Sequence, residues 1–120
     1  MIRLNLPLPP SINHYYGRVG NKSFLSKAGK TFREELCLVW LGLRGRYTIT
    51  GPVRLKVVLA PRNKNRFDID NRLKPLLDAM QNSLIFNDDS QITDLWATKV
   101  DAAPPNGWCH VEITDIAREP

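Results

Sequence analysis

Two aspartates, Asp68 and Asp70, stand near the middle of the chain with one residue between them, and Asn71 follows directly. In an extended segment, side chains two positions apart point to the same side, so both carboxylates would share one face. Oxygen ligands of this kind suit a hard divalent cation such as Mg²⁺. The alternative is that Asp70 or Asn71 caps a helix, because a short side-chain acceptor there stabilises a first turn by about 1 kcal/mol.

Further charged residues extend this candidate site. Asp88 and Asp89 follow a predicted helix that could bring their loop back towards the first pair, and clustered acids repel one another unless a cation offsets their charge. Carboxylate ligands favour Mg²⁺, with Mn²⁺ as an alternative, whereas the lack of a convergent His/Cys set disfavours zinc. Lys74 lies on the same helix face as Asp70, and its ammonium could stabilise a phosphodiester during hydrolysis. The alternatives are a polar turn at Asp88 and Asp89, and a surface pair between Lys74 and Asp78.

The overall charge indicates the partner of such a site. Lys and Arg number 17 against 12 Asp and Glu, which gives a net charge of +5 and a pI near 9.5. A basic domain of this size attracts polyanions, above all nucleic acid. The predicted DNA-binding residues are Arg18, Lys22, Lys27, Lys30, Arg62, Lys64 and Arg66. Among them, Tyr15 and Tyr16 could stack on opened bases, or could equally be packing residues.

Other functional classes are disfavoured. Cys37 and Cys109 have no zinc-site spacing, and His14 and His110 belong to no recognisable triad, so we assign these four residues no chemistry. The stretch AGKT at residues 28–31 resembles the end of a phosphate-binding loop, but Phe24 occupies the place of its leading glycine, so no nucleotide cofactor is expected. Early prolines and the absence of a long apolar run predict a cytoplasmic protein without membrane contact.

The elements that must position these residues follow from the spacing of apolar side chains. We predict strands over residues 2–6, 53–59, 92–100 and 108–114, helices over 26–43 and 71–84, and a basic loop over 9–26. Pro75 falls in the early turns of the second helix, where it removes a backbone donor and could shift the helix start. The sequence therefore predicts a single α/β domain over residues 1–120, with two helices packed on a mixed four-stranded sheet in the order βαβαββ.

Three stretches together resemble the RusA family of Holliday-junction resolvases. They are PPSINHYY near the amino terminus, RFDIDNRLKPLLDAM in the middle and FNDDSQITDLWATK after it, in the family's order across nearly the whole chain. The resemblance implies a homodimeric, Mg²⁺-dependent endonuclease, bacterial or phage-encoded, that makes paired symmetric nicks in four-way DNA junctions. It implies that Asp68, Asp70 and Asp89 are the catalytic, metal-binding acids and that Lys74 acts with them, with Asp88 as a further candidate ligand. RNKNRF at 62–67 is less arginine-rich than the family's pattern.

Two rival functions remain open from the residues alone. The first is a non-catalytic DNA-binding module whose acids only cap helices. The second is a metal-dependent nucleotide hydrolase, since paired aspartates also serve small phosphates, although a small substrate needs no extended basic surface.

Overall fold

The computed structural model describes residues 1–119, which form a mixed four-stranded sheet with helices packed on it. In chain order the elements are β1 (Ile2–Leu6), α1 (Ile12–Tyr15), β2 (Tyr16–Val19), β3 (Lys22–Leu25), α2 (Lys27–Leu41), β4 (Val53–Ala60), α3 (Ile69–Asn82), β5 (Ile92–Lys99) and β6 (Trp108–Asp115). The order across the main sheet is β1, β6, β4, β5. The β4–β5 pair is parallel and the other two pairs are antiparallel, so the predicted fold class is confirmed.

The core lies between one face of this sheet and the helices. Val111 of β6 sits opposite Leu4 of β1 and Val57 of β4, and all three side chains are buried. The predicted alternation of β6 is confirmed, since Cys109, Val111 and Ile113 are buried while Trp108 is exposed. Helix α2 contributes Phe32, Leu36 and Trp40 to the same core, and α3 contributes Leu76, Ala79 and Met80. Both helices therefore cover the same side of the sheet.

The region predicted as a loop over residues 9–26 contains the short helix α1 and the β2–β3 hairpin, so that prediction is wrong. Val19 pairs with Lys22 across a two-residue Gly20–Asn21 turn, and Gly20 has a φ of 60°. A Gly-Asn pair between two short strands is a hairpin signal. Most hairpin side chains are exposed, so the apolar alternation that reveals a half-buried strand is weak here.

Helix α2 begins where Ser26 accepts a hydrogen bond of 3.0 Å from the amide of Gly29. A Cβ at Gly29 would lie 2.4 Å from the Tyr15 carbonyl oxygen, which is closer than a Cβ atom normally comes to a backbone atom. Gly29 therefore allows α1 to pack directly against α2. This close approach gives the glycine of the AGKT stretch a packing role.

Helix α3 connects the parallel strands β4 and β5, and it begins at Ile69, two residues before the predicted start. Pro75 is buried inside it without ending it. The helix ends in a Schellman motif, in which Leu84 donates to the Gln81 carbonyl and Ile85 donates to the Met80 carbonyl. Leu84 takes the left-handed position, with φ 60°, although glycine is the usual residue there.

None of the helices within residues 1–119 has both the length and the apolar character needed to cross a bilayer.

Candidate active site and nucleic-acid interface

Asp68 and Asp70 lie at the amino-terminal end of α3. Asp68 occupies the N-cap position with an extended backbone, but its carboxylate forms no capping hydrogen bond. Asp70 is already helical and accepts a hydrogen bond of 3.0 Å from the adjacent amide of Asn71. The prediction that both acids share an extended segment is therefore wrong for Asp70, and so is the alternative that Asp70 or Asn71 is the cap. Both carboxylates are exposed beside a helix end that attracts anions.

Asp88 and Asp89 lie at the start of a single 3-10 turn over Asp89–Gln91, and their carboxylates differ in their hydrogen bonding. Asp88 is the N-cap, and its carboxylate accepts hydrogen bonds from the amide and the hydroxyl of Ser90. Gln91 completes a capping box by accepting a hydrogen bond of 3.0 Å from the Asp88 amide. The carboxylate of Asp89 has no hydrogen bond or ion pair within the described residues. Asp88 therefore has a structural role, and Asp89 offers the free carboxylate.

Asp68 and Asp70 lie at the amino-terminal end of α3, whereas Asp89 lies at its carboxyl-terminal end. The amide of Asp89 donates a hydrogen bond of 2.9 Å to the side chain of Gln81, which lies near the end of that helix. At 1.5 Å per residue, Ile69 and Gln81 are roughly 18 Å apart along the axis. Accordingly, residues 1–119 contain no group of three His, Cys, Asp or Glu side chains able to hold one metal ion. The expectation that Asp89 converges with Asp68 and Asp70 within one chain is wrong.

The topology explains this separation. Asp68 follows β4 at its carboxyl end, whereas Asp89 precedes β5 at its amino end. Because β4 and β5 are parallel, the carboxyl end of β4 and the amino end of β5 lie at opposite ends of this strand pair, and α3 runs the whole distance between them.

Lys74 lies one turn after Asp70 and faces a groove of about 660 Å³ between α3 and the β2–β3 hairpin. Asn13, Tyr16 and Arg18 also line this groove. Lys74 is exposed, and within residues 1–119 its ammonium has no carboxylate partner. The groove therefore presents two cations and an aromatic ring beside the first acid pair.

Tyr15 does not belong to this exposed surface. Its side chain is fully buried, its hydroxyl donates to Asp78, and it accepts a hydrogen bond of 2.8 Å from Arg33. Burial, together with the Asp78 carboxylate, raises the pKa of Tyr15 well above its usual value. Arg33 also pairs with Asp78 at 2.6 Å, so the alternative surface pair between Lys74 and Asp78 is wrong.

This arrangement ties α1, α2 and α3 together, and base stacking by Tyr15 is excluded because its ring is inaccessible. Tyr16 is half-buried and packs edge-on against Tyr15, with ring centroids 4.8 Å apart. Its place in the Lys74 groove leaves stacking by Tyr16 as a prediction.

The predicted DNA-binding residues fall into three exposed groups. Arg18 and Lys22 lie on the hairpin, Lys27 and Lys30 on the first turn of α2, and Arg62, Lys64 and Arg66 in the loop between β4 and α3. The last group lies closest in sequence to Asp68, and two of its members, Lys64 and Arg66, border a cavity that Lys99 also lines.

Sequence reasoning missed Arg72 and Lys99, which contact the same loop. The guanidinium of Arg72 and the ammonium of Lys99 lie 5.0 and 5.1 Å from the ring centroid of Phe67. Lys99 also donates to the Phe67 carbonyl at 3.2 Å. Burial and the neighbouring Arg62 lower the pKa of Arg72. Neither residue had a sequence signal, because both positions depend on tertiary packing around Phe67.

Comparisons with known proteins find relatives over most of the chain. The family model described as Endodeoxyribonuclease RusA matches residues 7–114. The crossover junction endodeoxyribonuclease rusA of Enterobacteria phage HK97 is 30% identical over 111 residues, covering 92% of each chain. The protein of that name from Enterobacteria phage 82 is 26% identical, and the one from Escherichia coli strain K12 is 25% identical. Each of these two aligns over 116 residues, which cover 97% of this chain and 96% of the relative.

Proposed function

The chain belongs to the RusA family of endodeoxyribonucleases, and from that premise we propose that it resolves four-way DNA junctions by hydrolysing phosphodiester bonds. The observation that carries this proposal is the pair of exposed carboxylates at the start of α3, one turn from Lys74, which has no carboxylate partner within residues 1–119. Around them lie the basic loop 62–66 and the cationic groove of Arg18 and Lys74. Acids flanked by cations suit a site that holds both a metal ion and a polyanion.

Asp68 and Asp70 are the residues proposed to hold Mg²⁺ or Mn²⁺. Mg²⁺ is commonly bound through one or two carboxylates while water and substrate phosphates supply the remaining ligands, so this donor set fits. When bound, such an ion activates water and offsets the charge that develops on the leaving oxygen. Neither carboxylate is occupied by a cation of residues 1–119, so both are available to a ligand.

The chain's own cations are proposed to bind and orient the DNA. Lys74 would place its ammonium beside the reacting phosphate, where a preorganised positive charge stabilises the transition state more than the ground state. The basic loop and the hairpin would hold the flanking strands through their phosphates. Tyr16 would stack on a base opened at the junction.

We further assign Asp89 to the site of a second subunit in a homodimer. Its carboxylate has no hydrogen bond or ion pair among residues 1–119, yet it lies at the wrong end of α3 to join Asp68 and Asp70 of its own chain. In a two-fold dimer, one end of α3 can face the other end of its symmetry mate. Such a dimer would carry two equivalent sites, as paired symmetric nicks require.

One experiment separates this function from the two rivals. The protein is incubated with a labelled four-way junction, a linear duplex of the same sequence, or a nucleoside triphosphate, each with and without Mg²⁺. We expect Mg²⁺-dependent cleavage of the junction alone, as two nicks of the same polarity. Junction binding without cleavage would indicate a binding module, and hydrolysis of the triphosphate would indicate a nucleotide hydrolase. A DNA substrate of this kind also implies a cytoplasmic site of action.

A further inference from the structure

A second cationic pocket lies beside the start of α3, apart from the Lys74 groove. It encloses about 210 Å³, and its lining includes Arg62, Asn63, Asn65, Arg66, Phe67 and Arg72. Three arginines and two asparagines therefore line a small space, and both kinds of side chain carry hydrogen-bond donors. None of the lining residues is acidic.

Arg72 is the member of this pocket whose bonding is incomplete. One of its terminal nitrogens donates to the Pro9 carbonyl at 2.8 Å, and its guanidinium stacks on Phe67. Its Nε is buried and has no acceptor within the part of the chain described. No carboxylate of residues 1–119 lies within ion-pair distance of it.

This arrangement carries a free-energy cost. A partly buried cation loses hydration, and a missing counter-ion leaves that loss uncompensated. Arg62 and Arg66 line the same space and add repulsion of like charges. An anion in the pocket would relieve both costs. It would also supply the acceptor that Nε lacks.

We propose that this pocket binds one phosphate of the DNA backbone, with Arg72 as its central ligand. The planar fork of arginine presents two parallel donors to phosphate oxygens, which is its usual way of binding phosphate. Arg72 lies in the first turn of α3, four residues after the N-cap residue Asp68, so the pocket and the acid pair share the same end of this helix. A strand anchored there runs past the acid pair, so this subsite sets which phosphodiester reaches it. The proposal rests on the proposed function only in that the anion belongs to DNA.

The test compares Arg72→Met with the matched control Arg44→Met. Both changes remove one positive charge, but Arg44 is exposed, lies beyond the end of α2 and lines a different pocket. Binding to a linear duplex and to a four-way junction is measured without metal across a range of salt concentrations. Losing one phosphate contact should reduce the slope of log K against log salt by about 0.9. We expect this reduction for Arg72→Met on both DNAs and an unchanged slope for Arg44→Met.

A second measurement uses inorganic phosphate as the probe. Phosphate should raise the melting temperature of the wild type more than chloride at equal ionic strength, and this difference should be smaller in Arg72→Met, because the general stabilising effect of phosphate is common to both proteins. Arg72→Lys keeps the charge and removes the fork, so it should retain only part of the difference. If Arg72→Met fails to fold, the Arg72→Lys measurement decides in its place.

Equal slopes for wild type and Arg72→Met, or equal changes for Arg72→Met and Arg44→Met, would overturn the proposal. A full phosphate effect in Arg72→Lys together with an unchanged slope would do the same. The junction-cleavage function could fail independently: a protein that cuts no junction would still show the slope difference on linear duplex if the phosphate pocket is correct.

Discussion

The amide of Asp89 donates a hydrogen bond of 2.9 Å to the side chain of Gln81, which fixes the loop after α3 to the carboxyl-terminal end of that helix. Asp68, at the amino-terminal end, is held a helix length away. This relationship determines how the three acids can cooperate, because no rotation of a side chain closes such a gap.

The replacement Asp70→Asn should remove nicking while leaving the fold intact. Within residues 1–119 the Asp70 carboxylate accepts a hydrogen bond only from the neighbouring Asn71 amide, and an asparagine side-chain oxygen can accept the same bond. Mg²⁺-dependent nicking of a junction should fall by orders of magnitude, because an anionic ligand is lost. Metal-free junction affinity should stay the same or rise, since one carboxylate no longer repels phosphate. Nicking rate, affinity and melting temperature measured side by side check this, and wild-type nicking by the variant would remove Asp70 from the site.

Mixed dimers test whether Asp89 acts in the other subunit. Asp70→Asn and Asp89→Asn should each be inactive alone. A heterodimer of the two, purified through a different tag on each subunit, should recover one intact site and nick one strand. If all three acids worked within one chain, both sites of that heterodimer would be defective. Light scattering should confirm a dimer in each sample, and a strictly monomeric nicking enzyme would contradict the arrangement.

Asp88 and Asp89 should respond differently to alanine. Asp88→Ala removes the cap of the 3-10 turn, so the free energy of unfolding should fall by about 1 kcal/mol while substantial nicking remains. Asp89→Ala removes a carboxylate without hydrogen bonds in the described residues, so stability should hold while nicking is lost. Urea unfolding and a junction-cleavage assay on both variants check the contrast. Equal loss of nicking in both would assign Asp88 to the chemistry as well.

Leu84→Gly should stabilise the protein. Leu84 is exposed and has φ 60°, a conformation that costs a residue with a Cβ roughly 1–2 kcal/mol. Glycine avoids that cost but loses more freedom on folding, so we expect a net gain of about 0.5–1 kcal/mol. Leu84→Ala is the matched control, because alanine keeps the Cβ and should show no such gain. Urea midpoints with unchanged m-values would measure the difference.

Much of the fold could be predicted because its core elements show clear periodicity. Helix α2 buries Phe32, Leu36 and Trp40 at helical spacing, and β4 and β6 largely alternate between buried side chains and side chains that are partly or fully exposed. The hairpin did not show such a pattern, because Lys22, Ser23 and Phe24 are all exposed. The signal of the hairpin lies in its Gly20–Asn21 turn and not in apolar spacing.

Less of the candidate site than of the fold could be predicted from the sequence. Spacing and resemblance named its acids, but the separation of Asp68 from Asp89 depends on the parallel pairing of β4 and β5, which apolar spacing does not reveal. The pocket of Arg72 depends on a hydrogen bond to Pro9, 63 residues away. Contacts of this kind arise only once the chain has folded.

The position of β6 has a consequence for how the protein matures during synthesis. Of the strands within residues 1–119, β6 is the last in chain order, yet it lies inside the sheet, where it pairs with both β1 and β4. Until β6 leaves the ribosome, β1 has no partner in the main sheet. The apolar faces of α2 and α3 also lack the part of the core that β6 contributes. Such long-range pairing makes folding late and slow. A growing chain that already carries Asp68, Asp70 and Asp89 but not β6 therefore lacks the strand that joins β1 to the rest of the main sheet.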